Sequence, residues 1–141
     1  MKRSATANWK GSGKEGKGTV TADSGIFSAA PISFRTRFEE VQGTSPEELV
    51  AAAHAGCYSM KLSFVLGAAG FTPDNIDTKC TITLENGTIT ESHLEVKASV
   101  PNIDETKFNE CIDDARTNCP ISKLFNTKIT AEAKLEKEIH A

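Results

Sequence analysis

Cys57 is the residue best placed for chemistry, in the middle of a long apolar segment. Residues 51–53, Ala55 and Gly56 are small, so a second backbone can pack closely there. A thiol of pKa near 8.5 is only about 3% thiolate at pH 7, and a fall of about two pH units makes most of it reactive. Cys57 is therefore either a buried core cysteine or a nucleophile whose pKa a nearby cation lowers.

Two arginines precede this segment. Arg35 and Arg37 lie in residues 32–38, where apolar and polar residues alternate as in a β-strand. They are either solvated strand charges or the cation that activates Cys57. Arg37 stands among phenylalanines, an apolar setting in which a guanidinium needs a carboxylate partner. Glu47 is a candidate partner, and it is equally well explained as a first-turn carboxylate favoured by the helix dipole.

The spacing of Glu47 and Cys57 constrains such a site. The two residues are ten positions apart, which is about 15 Å along one helix. An arginine that pairs with Glu47 can hardly touch Cys57 of its own chain. We therefore hypothesise a site that combines Cys57 of one chain with Arg37 and Glu47 of a second, antiparallel copy.

Cys119 is the candidate second thiol. It precedes Pro120, which suits the first position of a short helix, so Cys119 is predicted to be the N-cap of that helix. Partial positive charge at a helix N-terminus lowers a thiol pKa. Cys119 also ends the preceding helix, at a junction that is expected to be exposed and able to move. Such a position suits a resolving cysteine, which forms a disulfide with an oxidised partner cysteine. The alternative is an ordinary last residue of the preceding helix.

The remaining candidates are interpreted as structural. His54 is one turn before Cys57 and within its reach, where it could serve as a base, but a histidine on a packed helix is more often a core residue. Cys80 lies on the inward arm of a predicted strand and Cys111 on the apolar stripe of a predicted helix, so both are interpreted as core.

The elements around these residues predict an α+β fold with an antiparallel β-sheet, a long buried central helix and a second helix. Residues 44–48 form a helix start with Ser45 as N-cap and Glu48 in a capping box, and the helix stops at Gly70. Asn86-Gly87 predicts a β-hairpin turn. The remaining elements are strands at 7–10, 18–22, 32–38, 75–86, 88–99 and 128–135 and helices at 104–118 and 121–125.

Composition excludes several classes of protein. The chain has 141 residues and is expected to form one domain over residues 1–141. A net charge of −3 gives no electrostatic footprint for nucleic acid or an anionic membrane. The sequence contains no Cys-x-x-Cys pair, so no zinc site is predicted. Residues 49–70 are apolar, but Lys61 argues against a membrane span, and the start of the chain lacks an apolar signal segment, so the cytoplasm is expected.

Several segments, in order along nearly the whole chain, resemble the OsmC/Ohr family of osmotically inducible and organic-hydroperoxide-resistance proteins. The resemblance is carried by residues 7–11 (ANWKG), 16–20 (GKGTV), 36–39 (TRFE), 43–49 (GTSPEEL), 52–60 (AAHAGCYSM), 70–73 (GFTP) and 118–122 (NCPIS). Residues 70–73 and the details around Cys119 favour the OsmC branch. Gly56 stands where many relatives carry alanine, and Arg35 adds a second cation to the arginine segment.

The resemblance implies an intertwined α+β homodimer with active sites at the subunit interface. It implies that Cys57 is the peroxidatic cysteine, Cys119 the resolving cysteine, Arg37 the arginine that activates the thiolate and Glu47 the glutamate that holds it. The implied substrates are organic hydroperoxides and, more weakly, hydrogen peroxide, with an external dithiol of unknown identity as reductant. No metal or other cofactor is needed, because sulfur carries the two electrons.

Two other functions remain open at this point. The same fold could hold an apolar ligand without catalysis, or it could serve as a redox sensor that acts through a partner protein. Four residues near the central helix could line an apolar pocket, although core packing explains them equally well: Tyr58, Met60, Phe64 and Phe125.

Overall fold

The computed structural model describes residues 1–38 and 42–136, and the side chains of Arg37 and Phe38 lie outside that description. The chain forms two compact units, Met1–Leu49 and Val50–Ala141. Each unit contains one three-stranded sheet, and the described residues also form helices. The predicted α+β class is confirmed.

The first unit begins as an antiparallel meander. Its strands are β1 (Ala5–Lys10), β2 (Lys17–Ala22) and β3 (Ala30–Ile32), with β2 in the centre. Trp9 of β1 pairs with Gly18 of β2. A Cβ on Gly18 would come within 2.5 Å of the Trp9 ring, so this glycine lets the indole lie against the neighbouring backbone.

The strand predicted over residues 32–38 is wrong beyond Ile32, because the chain turns into helix α1 (Phe34–Phe38). Ser33 and Thr36 cap its start reciprocally: the Thr36 N–H donates to Ser33 Oγ at 3.2 Å and the Ser33 N–H donates to Thr36 Oγ1 at 3.0 Å. These bonds satisfy donors that a helix start otherwise leaves unpaired. Local capping therefore outweighs the alternating pattern, and Arg35 and Arg37 belong to a helix.

Helix α2 spans Pro46–Ala68. Its start matches the prediction in part: the Glu48 N–H donates to Ser45 Oγ at 3.1 Å, but the Glu48 carboxylate accepts from the Thr44 hydroxyl at 2.6 Å. Gly70 follows the helix with φ of +93°, a conformation that glycine adopts without strain. The predicted stop at this glycine is confirmed.

Within the single chain, α2 buries one stripe. The buried residues are spaced at four-residue intervals and are His54, Tyr58, Leu62 and Leu66. Other faces stay open, with Met60 64% and Phe64 77% exposed. Among the described residues, α2 is long and apolar enough to cross a membrane by length and composition, and 22% of that stretch is buried. The predicted burial of the whole helix is thus not achieved within the single chain.

The second unit carries a mixed sheet. Strands β4 (Asn75–Glu85) and β5 (Thr88–Ser99) form the predicted hairpin, with φ of +51° at Asn86 and +76° at Gly87, as a type I′ turn requires. Strand β6 (Lys128–Leu135) pairs with β5 in parallel, which corrects the expectation of a purely antiparallel sheet. Helices α3 (Glu105–Asn118) and α4 (Pro120–Leu124) form the crossover that parallel pairing needs.

The core of the second unit lies between α2, α3 and the sheet. Its fully buried side chains include Tyr58, Leu62, Leu94 and Phe108. The Tyr58 hydroxyl donates to the Ile112 carbonyl of α3 at 2.9 Å, so this aromatic residue fills the core and also satisfies its polar end. This packing fixes the helix that carries Cys57.

Candidate active site

The structure brings the two candidate thiols together. The sulfur atoms of Cys57 and Cys119 lie 3.0 Å apart and share a hydrogen bond, and both cysteines are free. A disulfide has a sulfur–sulfur distance of about 2.05 Å, so a further approach of roughly 1 Å would join them. The pair is therefore already placed for disulfide chemistry.

The junction between α3 and α4 positions Cys119. Its N–H donates to the Ala115 carbonyl at 3.0 Å, closing α3, and its carbonyl accepts from the Lys123 N–H at 3.0 Å, opening α4. Cys119 is the N-cap of α4 with Pro120 at the start of that helix, as predicted. The expectation of an exposed position is wrong, because Cys119 is fully buried: the segment packs down onto α2.

Burial raises the pKa of the Cys57 thiol above its usual range, and the neighbouring Cys119 raises it further. Two groups act in the opposite direction, the Ile121 backbone N–H and the Lys61 ammonium one turn along α2. Sequence analysis missed Lys61 as a cation, although its spacing of four residues from Cys57 was a usable signal. Among the described residues, the groups that lower the pKa of Cys57 do not outweigh its burial and its neighbour Cys119.

His54 is fully buried and lies in a polar network. Its Nδ1 is 2.6 Å from Ser92 Oγ and its Nε2 is 2.8 Å from Ser122 Oγ. The ring also meets the Phe125 ring edge-on, with centroids 5.1 Å apart. Burial lowers the pKa of His54, which favours the neutral ring. The structural interpretation of His54 agrees with these contacts, and neither serine was identified from sequence.

The other two cysteines differ in their surroundings. Cys111 is 3% exposed and belongs to the hydrophobic core, as predicted. Cys80 packs against the same core, but its sulfur also lies 3.2 Å from Ser92 Oγ and 3.9 Å from His54 Nδ1. Burial raises the pKa of both thiols. In the part of the chain that is described, no group of three or more His, Cys, Asp or Glu residues forms a candidate metal site.

Arg37 and Glu47 are placed only in part. Arg37 lies in α1, and its side chain falls outside the described residues. Glu47 lies in the first turn of α2, ten residues before Cys57 and therefore about 15 Å from it along the helix. Their predicted roles at the thiol stay predictions.

The four residues suggested for an apolar pocket separate into three groups. Tyr58 is fully buried and serves the core. Phe125 packs on the His54 ring. Met60 and Phe64 are the exposed members, on the open side of α2. Of the four, Met60 and Phe64 present the most apolar surface to a ligand or a second chain.

Comparison with known proteins gives consistent matches. A family model described as OsmC-like protein matches residues 39–134. Peroxiredoxin OsmC of Escherichia coli is 44% identical over 134 residues, covering 92% of this chain and 94% of the relative. Among solved structures, an OsmC-like protein of Mycoplasma pneumoniae superposes with a TM-score of 0.75 at 19% identity, covering 96% of this chain and 97% of that one.

A second solved structure represents the other branch named by the resemblance. The organic hydroperoxide resistance protein OhrB of Bacillus subtilis superposes with a TM-score of 0.66 at 23% identity, over 93% of this chain and 98% of that chain. At such identities the superposition shows the shared fold. The family model and the 44% identical relative carry the assignment further: the chain belongs to the OsmC family.

Proposed function

We propose that the protein is a cysteine-based peroxidase that reduces organic hydroperoxides, and hydrogen peroxide more weakly, in defence against oxidative and osmotic stress. The observation that carries this proposal is the 3.0 Å distance between the free thiols of Cys57 and Cys119. The names of the relatives support it: the Escherichia coli protein is a peroxiredoxin and the Bacillus subtilis protein an organic hydroperoxide resistance protein.

The reaction proceeds in three balanced steps. The Cys57 thiolate attacks the terminal oxygen of the hydroperoxide, the O–O bond breaks, and the products are a sulfenic acid on Cys57 and an alcohol. The Cys119 thiol then displaces the sulfenic oxygen, which leaves as water when the disulfide forms. An external dithiol reduces that disulfide by thiol–disulfide exchange. Over the cycle two electrons pass from the external dithiol through the two cysteine sulfurs to the peroxide oxygens, so the proposed chemistry needs no cofactor.

Activation of Cys57 requires a cation that outweighs its burial. We assign this role to Arg37, held by Glu47, and place both on the partner chain of a homodimer. Two observations support the assignment: the pKa of Cys57 is raised in the single chain, and Met60 and Phe64 leave an apolar face of α2 open for a partner. A homodimer that covers α2 removes exposed apolar surface and completes the site.

The same reasoning extends to location and organisation. A reducing dithiol is required for turnover, and the cytoplasm is the compartment that keeps thiols reduced. We therefore place the protein there, with the open face of α2 against a second subunit rather than lipid. We also propose that residues 1–141 of each subunit function as a single domain.

The test is consumption of cumene hydroperoxide with dithiothreitol as reductant. Wild type is expected to turn over, Cys57→Ser to lose turnover, and Cys119→Ser to consume about one equivalent and then stall. Cys111→Ser is the matched control, since Cys111 is a buried core thiol and its loss should leave turnover intact. Turnover by Cys57→Ser would contradict the proposal.

The same assay separates the two alternatives. An apolar-ligand-binding module would leave all four thiols free after peroxide treatment. A redox sensor would form the Cys57–Cys119 disulfide stoichiometrically but show little turnover with any dithiol. Counting thiols by mass after one equivalent of peroxide, beside the turnover rate, decides between the three.

A further inference from the structure

Two of the contacts between helices α2 and α4 lie one turn apart. The first is the Cys57–Cys119 pair at 3.0 Å, and the second is the hydrogen bond of 2.8 Å between His54 Nε2 and Ser122 Oγ. His54 precedes Cys57 by three residues and Ser122 follows Cys119 by three residues. Because residues three apart share a helix face, the His54–Ser122 bond lies directly beside the sulfur pair.

The imidazole of His54 joins α4 to the body of the second unit. On one side Nδ1 meets Ser92 Oγ of β5 at 2.6 Å. On the other side the ring holds α4 through Ser122 and packs edge-on against Phe125, which ends that helix. A neutral imidazole has one donor and one acceptor nitrogen, so two serine hydroxyls satisfy it completely.

The hydrogen bond between His54 and Ser122 contributes to holding α4 in place. The helix has only five residues, Pro120–Leu124, so its backbone hydrogen bonds alone hold it weakly. Ser122 is 6% exposed. Its hydroxyl makes a side-chain hydrogen bond that connects α4 to His54 of α2. Since Cys119 is the N-cap of α4, the position of its sulfur depends on how α4 is held.

We propose that His54 is a positioning residue which, through Ser122, holds α4 so that Cys119 stays within reach of Cys57 for disulfide formation. The inference rests on the proposed function for the chemistry of the preceding step. In the step it concerns, the S–O bond of the Cys57 sulfenic acid breaks, the S–S bond forms, and water leaves with the proton of Cys119. Holding the second thiol nearby raises its effective concentration at the first.

Ser122→Ala is the direct test, because it removes the hydroxyl with little change in volume. Loss of one such hydrogen bond is expected to slow disulfide formation after one equivalent of cumene hydroperoxide about fivefold. Quenching the reaction and counting sulfenic acid and disulfide by mass gives this rate. The first oxidation, followed in a Cys119→Ser background, is expected to change less than disulfide formation does.

Ser92→Ala is the matched control. It removes the other hydrogen bond of the same imidazole and also the 3.2 Å contact between Ser92 Oγ and the Cys80 sulfur. Its cost in stability is therefore at least as large, but it leaves the bond to α4 in place. If destabilisation alone slowed the reaction, Ser92→Ala would slow it as much as Ser122→Ala.

A second readout needs no peroxide. Equilibration with glutathione buffers measures the reduction potential of the Cys57–Cys119 pair. A fivefold weaker disulfide in Ser122→Ala raises that potential by about 20 mV, and Ser92→Ala is expected to keep the wild-type value. His54→Gln is a second variant on the same contact and should shift the potential in the same direction as Ser122→Ala.

The outcomes separate the inference from the proposed function. If wild-type Cys57 is not oxidised by cumene hydroperoxide, the proposed function fails, and the glutathione titration still decides the positioning role. The positioning role is overturned if Ser122→Ala stays within about twofold of wild type in both readouts. Equal shifts in Ser122→Ala and Ser92→Ala would overturn it as well.

Discussion

At the scale of single residues, the central problem is the charge of Cys57. Its helix packs it beside a second thiol and against the core, and both features oppose ionisation. Lys61 and the Ile121 N–H lower the pKa of Cys57, but their effect is smaller than that of burial and Cys119. A thiol that must attack a peroxide needs the anion, and in the proposed site Arg37 supplies the positive charge that favours it.

We predict that Arg37→Gln removes this charge. Without a cation, burial keeps the pKa of Cys57 raised, and the thiolate fraction at pH 7 falls below about 3%. The rate of alkylation by iodoacetamide at pH 7 should fall at least tenfold, and the pH at which alkylation is half-maximal should move up.

Arg35→Gln is the matched control, since it removes the same charge from the same short helix. It should leave both the alkylation rate and the half-maximal pH close to wild type. Equal losses in the two variants would mean that the charge of α1 acts diffusely, and the assignment of Arg37 would then be wrong.

At the scale of elements, the sequence predicted correctly those turns and helix ends that depend on a few neighbouring residues. The Asn86-Gly87 turn and the stop at Gly70 follow from backbone conformations that few residues adopt. The strand expected over residues 32–38 failed, because reciprocal capping by Ser33 and Thr36 competes with a short alternating pattern. The direction of β6 is set by its α3–α4 crossover, which no pattern within the strand itself records.

Helix α2 supplies a prediction at the same scale. Phe64 lies seven residues after Cys57, or about 10 Å along the helix, and is 77% exposed. If a second subunit covers this face, Phe64→Glu buries a carboxylate in an apolar interface, which is strongly unfavourable. Sedimentation should then show a monomer, with peroxidase activity falling together with the dimer.

Thr81→Glu is the control for added charge, at an exposed position of β4. It should sediment as wild type and retain activity. A Phe64→Glu protein that stays dimeric would show that this face of α2 lies outside the interface, and a monomeric protein with full activity would show that the site needs only one chain.

At the scale of the whole molecule, sequence reasoning assigned Cys57 and Cys119 to one reaction. The structure adds that their sulfur atoms are in contact. Cys57 and Cys119 are separated by 62 residues, so their proximity depends on how α4 packs on α2, which is a tertiary property. The roles of Ser92 and Ser122 depend on the same packing. Serines are common, and only the fold distinguishes these two from the rest.

The assignment of Arg37 to the partner chain can be tested by mixing two inactive variants. A dimer of Cys57→Ser with Arg37→Gln contains one site in which Cys57 meets Arg37 of the other subunit. Random exchange gives about half mixed dimers, each with one complete site of two, so about a quarter of wild-type activity should return. If Arg37 acted within its own chain, every site would lack a residue and no activity would return.

A second mixture provides the control for this complementation. Cys57 and Cys119 approach to 3.0 Å within one chain, so a mixture of Cys57→Ser and Cys119→Ser leaves every site without one of its two thiols. Turnover should stay absent after exchange. Recovery in the first mixture but not in the second would place the disulfide within each subunit and the activating arginine across the interface, because no other distribution of the three residues yields that pair of results.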